Sequence, residues 1–172
     1  MRKIVVGLII VVSLVLIVLL SFVIYNELPF MSGKKIVLAT LPVDPFDPFM
    51  GQYMTINYDI SRIDDVSGFN QGDTVYVSLA SDSQGIFRKE SVSNSKPTSG
   101  EFIKGKVTSV YGNTMRVEYG IERYYFERNA NLPTTNITVD IVLTDSGRAK
   151  IIQLLHNGEP VNIDYEEFDV KS

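Results

Sequence analysis

From Ile4 to Ile24 the chain runs for 21 residues without a charge. Apart from Gly7, Ser13 and Ser21, every residue in the run is Val, Leu, Ile or Phe. An α-helix rises about 1.5 Å per residue, so such a run matches a hydrocarbon layer roughly 30 Å thick. Lipid offers no hydrogen-bond partner to a bare backbone, so a lone span of this kind is helical. A cleaved leader is the rival reading. Its apolar region is usually about 7–15 residues long and ends at a small-x-small site. Here the run is longer, and Phe22 and Ile24 occupy the positions such a site would need. With no cysteine in the chain, a lipid-modified anchor is excluded.

Basic residues set the expected orientation. Arg2 and Lys3 precede the span, whereas Glu27 follows it and the next basic residues are Lys34 and Lys35. The positive-inside rule then predicts a cytoplasmic N-terminus and an extracytoplasmic C-terminal part at the cell membrane. Residues 1–25 are expected as a signal anchor that meets the lipid bilayer. Residues 26–34 are expected as a juxtamembrane linker broken by Pro29 and Gly33, and residues 35–172 as one β domain.

All 20 acidic residues lie beyond the anchor with 14 of the 16 basic ones, so that part carries a net −6 (14 minus 20). A net-acidic domain argues against a nucleic-acid partner, because phosphates need a basic face. Without cysteine, disulfides and thiol chemistry are also excluded, and the domain must hold itself together by its core alone.

Beyond the anchor no long stretch shows a 3.6-residue apolar period. Tyr53 to Ile60 alternates instead: Met54, Ile56, Tyr58 and Ile60 share one face, and Tyr53, Thr55, Asn57 and Asp59 the other. Period two reads as a half-buried strand. Residues 36–40, 74–79, 86–92, 101–110, 114–119, 137–143, 148–155 and 160–165 read as further strands. They are punctuated by turn signals such as Gly112-Asn113, Asp145-Ser146-Gly147 and Asn157-Gly158. About eight to ten short strands at this spacing predict an all-β domain, a mainly antiparallel sandwich or partly open barrel.

Two segments carry a family resemblance. Gly51-Gln52-Tyr53-Met54-Thr55-Ile56-Asn57-Tyr58 follows the lead-in Pro42-Val43-Asp44-Pro45-Phe46-Asp47, and Tyr119 to Phe126 reads YGIERYYF. Together these resemble the two common segments of the bacterial GDYXXLXY family, with Gln52 where the motif has Asp and Ile56 where it has Leu. The Gln52 departure removes any motif role that needs a carboxylate there. The resemblance implies a small membrane-associated protein without an assigned activity, and a multi-pass membrane protein as partner.

Candidate binding residues follow from these segments: Asp44, Asp47, Gly51, Tyr53, Glu122 and Tyr124. Prolines stiffen the loop bearing Asp44 and Asp47, so it loses less entropy on meeting a ligand or cation. The bland alternative is that Asp44-Pro45 and Asp47-Pro48 are turn dipeptides. Tyr58 falls on the apolar face and is expected in the core, where its hydroxyl needs a partner. Glu122 is a general acid or base if a pocket perturbs it, and a salt-bridge residue otherwise. A hydrolase would need Glu122 to approach Asp44 or Asp47. His156, the one histidine, precedes the Asn157-Gly158 turn and reads as a turn residue. One histidine without cysteine makes no zinc site, so neither metal nor cofactor is expected. The favoured reading is a non-enzymatic membrane-anchored module that binds a membrane protein or an envelope component. A carboxylate-dependent hydrolase and a small-ligand or cation receptor are the alternatives.

Overall fold

The computed structural model describes residues 2–41, 53–125, 130–131, 133, 135–161 and 164–165. The chain divides into two compact units, Met1–Gly33 and Lys34–Ser172. The first is a single helix, α1 (Arg2–Met31). Its apolar side chains are exposed all round, and it is long and apolar enough to cross a bilayer. The helix continues through residues 26–31, which the sequence assigned to a linker. Proline removes a hydrogen bond and crowds the preceding turn. Pro29 lies in the last turn, and the helix nonetheless continues past it to Met31. One turn earlier, the Asn26 amide donates to the Phe22 carbonyl at 2.9 Å. At about 1.5 Å per residue, α1 exceeds the hydrocarbon thickness by several turns.

The second unit is β-rich. It opens with β1 (Lys34–Ala39), followed by β2 (Tyr53–Thr55), a 3-10 turn at Asp59–Ser61, and β3 (Arg62–Ile63). Four longer strands follow: β4 (Thr74–Ser81), β5 (Ile86–Ser93), β6 (Glu101–Tyr111) and β7 (Thr114–Glu118). Then come β8 (Arg123–Tyr125), β9 (Ala130–Asn131), β10 (Ile137–Leu143) and β11 (Ala149–His156). The last are β12 (Glu159–Pro160) and β13 (Asp164–Tyr165).

Nine strands form one sheet in the order β12-β11-β10-β1-β5-β4-β6-β7-β3, while β2 pairs with β8 and β9 with β13. The ladders are antiparallel except β1–β5, which is parallel over Val37↔Ile86 and Leu38↔Phe87. The sheet is not closed into a barrel. Register shifts at Asp140/Ile141, Ser78/Leu79 and Val107/Ser109 bend its long strands, as an unpaired extra residue does. With that bending, the turn between β10 and β11 reaches β6. The Lys104 amide donates to the Gly147 carbonyl at 2.8 Å, although β1, β5 and β4 intervene in the sheet.

The core lies on the inner face of this curled sheet. Ile36 and Leu38, Val75 and Val77, Val139 and Ile141 are buried at alternate positions of their strands. The Asn157-Gly158 turn has positive φ at both residues, 53° and 85°, as the hairpin signal requires. The stretch 53–60 departs from expectation. Its alternation is real, with Met54, Ile56, Tyr58 and Ile60 all buried. It is nonetheless not one strand, because its hydrogen-bond partners change along its length. Tyr53–Thr55 pairs with β8, Ile56 donates to the Glu122 carbonyl, Tyr58 bridges to Thr40, and the 3-10 turn begins at Asp59.

Candidate functional site

The two segments singled out in the sequence, far apart along the chain, form one unit in space. Their strands are in register, with Tyr53↔Tyr125, Met54↔Tyr124 and Thr55↔Arg123 opposite each other. Two buried tyrosines lock the unit reciprocally. The Tyr58 hydroxyl donates to the Ile121 carbonyl at 2.8 Å, and the Tyr119 hydroxyl donates to the Ile60 carbonyl at 2.6 Å. Each side chain satisfies a backbone acceptor of the other segment, so both hydroxyls are kept neutral. Burial first, and the negative charge of Glu122 second, push the two phenols well above the usual tyrosine range. The core position and the need for a hydroxyl partner expected for Tyr58 are both observed.

Glu122 sits at the centre of the connection. Its Oε1 accepts from the Tyr119 amide at 2.5 Å and its Oε2 from the Gly120 amide at 2.9 Å. The loop can turn back onto this carboxylate because Gly120 adopts φ +82°, a conformation that costs glycine little. The Glu122 carbonyl in turn holds the Ile56 amide at 2.7 Å. Both carboxylate oxygens thus organise the backbone of the loop, which is a structural employment for the residue proposed as an acid or base. Tyr124, half-buried, packs against the core. Tyr53 stands in β2 opposite Tyr125. Asp44, Asp47 and Gly51 lie outside the described residues.

Above this unit runs an open groove of about 510 Å³. Thr55, Asn57 and Ser61 line it together with Arg116, Glu118, Glu122, Arg123 and Tyr125. The alternation of β8 explains the division of labour between neighbours: Tyr124 turns inward, while Arg123 and Tyr125 turn outward, Tyr125 with 69% of its surface exposed. Sequence reasoning missed Arg116 and Ser61, and it read Arg123 and Tyr125 beside Glu122 and Tyr124 without carrying them into the candidate set. For Arg123 and Tyr125 a signal existed, since they flank Tyr124 in a period-two stretch. For Arg116 and Ser61 there was none, because their place at the groove depends on long-range pairing. A family model described as GDYXXLXY protein matches residues 15–154. No curated protein and no solved structure matches the chain.

Proposed function

This chain belongs to the GDYXXLXY family, and from that premise we propose that it is a single-pass membrane module whose β domain lies outside the cytoplasm. There it binds a membrane protein or an envelope component through the groove above β2 and β8. The carrying observation is that both family segments converge on this one place. They lock to each other through Tyr58, Tyr119 and Glu122, and turn Thr55, Asn57, Arg123 and Tyr125 to its walls. A groove built on paired strands holds its polar groups in fixed positions, which lowers the ordering cost of binding. Orientation rests on Arg2 and Lys3 ahead of the span. The hydrolase alternative is weakened, because Glu122 already serves two loop amides.

The reading is tested by placing a photo-crosslinking residue at position 125, in the groove, and at position 152, on exposed Ile152 of β11. The full-length protein is then irradiated in its native membranes. A discrete adduct from position 125 that is absent from position 152 is the expected result. Identical adducts from both positions, or none from either, would overturn the groove as the binding surface.

A further inference from the structure

Charge is placed beside this groove in a way that hydrogen bonding within the domain leaves unresolved. Arg62 of β3 and Arg116 of β7 are direct cross-strand partners, and both are exposed, so two guanidinium groups share one face side by side. Like charges directly opposite in an antiparallel pair are destabilising. The neighbouring carboxylates do not settle the charge of Arg116. Asp64 accepts from Thr114 at 2.6 Å and from Arg62 at 3.3 Å; those two hydrogen bonds hold its carboxyl below the usual range. Glu122 holds the Tyr119 and Gly120 amides. Glu118, on the same face as Arg116, stands in register with Lys106. Among the described residues Arg116 forms no salt bridge.

Two further features point at the same spot. β6 carries its bulge here, with Thr108 left over between Val107↔Val117 and Ser109↔Arg116. The Thr108 hydroxyl donates to the Arg116 carbonyl at 3.2 Å. Bulges re-aim a side chain and recur beside binding sites. Ser61 also lines the groove, and its Oγ is shut away from solvent with no hydrogen-bond partner among the described residues. A donor left orphaned costs stability unless a bound group satisfies it.

We propose that the groove beside Arg116 is an oxyanion site, taking a phosphate or carboxylate group on the Arg116 guanidinium. Ser61 and Asn57, which line the same groove, supply hydrogen-bond donors. The proposal rests on the binding-module reading and supplies its ligand chemistry. A planar guanidinium matches two oxygens of such a group, and the bound charge relieves the Arg62–Arg116 opposition.

Full-length protein in phosphatidylcholine nanodiscs is melted by circular dichroism, with inorganic phosphate titrated against chloride at matched ionic strength. A second set of discs carries phosphatidylglycerol and no added phosphate. The expected result is a rise of about 4 °C once phosphate reaches roughly ten times its Kd. That rise is to be absent from Arg116→Gln, reduced in Arg116→Lys, and kept in Lys104→Gln, which loses the same charge elsewhere on β6. A rise confined to the phosphatidylglycerol discs and lost in Arg116→Gln supports the site with a lipid headgroup as the source. No rise in either disc, an unchanged rise in Arg116→Gln, or an equal loss in Lys104→Gln would each overturn it. Should these fail while the adduct at position 125 persists, the oxyanion assignment falls and the binding module stands.

Discussion

Replacing Glu122 by glutamine separates a structural carboxylate from a chemical one. In the wild type its two oxygens each accept a backbone N–H, from Tyr119 at 2.5 Å and Gly120 at 2.9 Å. Glutamine keeps one acceptor oxygen and sets an NH₂ group against the other amide, donor facing donor. A hydrogen bond to a charged group contributes about 1.5–3 kcal/mol net, and a buried amide left unpaired costs about 1–3 kcal/mol. The Gly120 amide is exposed and regains water, whereas the Tyr119 bond is partly buried. Glutamine will therefore offer its oxygen to Tyr119, and the loss comes chiefly from the charge and the Gly120 bond. We expect about 2 kcal/mol, or roughly 6–8 °C of melting temperature for a domain of this size. The assay is thermal unfolding of the full-length protein by circular dichroism at neutral pH. Glu122→Ala should lose more, because Tyr119 then has no acceptor from this side chain. A Glu122→Gln protein melting within about 1 °C of wild type would refute the structural role and return Glu122 to the list of chemical candidates.

Gly105, buried in β6, has no room for a side chain: an added Cβ would overlap Val117 Cγ1 and come within 2.9 Å of the Tyr119 ring. Gly105→Ala should cost about 1–3 kcal/mol by overpacking, read from the midpoint of urea unfolding, and an unchanged midpoint would show that the ring yields freely. The alkaline limb of stability should carry the signature of Tyr58 and Tyr119. Their folded pKa values are raised above the ordinary value of about 10, so their contribution is complete below that pH and is lost as pH rises beyond it. Near-ultraviolet phenolate absorbance should show at least two of the nine tyrosines ionising only together with unfolding. All nine titrating before the β signal is lost would contradict the buried hydrogen bonds.

The long apolar helix, a candidate membrane span, was legible from residues 4–24 alone, because the requirement that lipid imposes is local: enough apolar residues to span, with every backbone group satisfied within the helix. The end of the helix was not legible. Pro29 and Gly33 are breakers by rule, yet α1 runs through Pro29 to Met31. Strand positions were legible wherever burial alternates, and the inward set Met54, Ile56, Tyr58 and Ile60 was read correctly even though their hydrogen-bond partners change every few residues. Burial of alternate side chains is written in the sequence as period two. Which backbone each residue pairs with is set by partners far away in the chain.

The same distinction divides the site. The sequence marked both segments, 51–58 and 119–126, and placed Tyr58 in the core. It read Arg123, Tyr124 and Tyr125 together without telling the inward residue from the outward pair, because the phase of so short a strand is fixed only when it docks on β2. It left Glu122 open between an acid or base and a salt-bridge residue, since nothing local reveals that Gly120 bends the loop back onto the carboxylate. The meeting of Arg116 with Arg62, and of both family segments above one groove, is decided by tertiary structure alone. Composition and periodicity report the environment of a residue, and only the folded register determines which charges become neighbours.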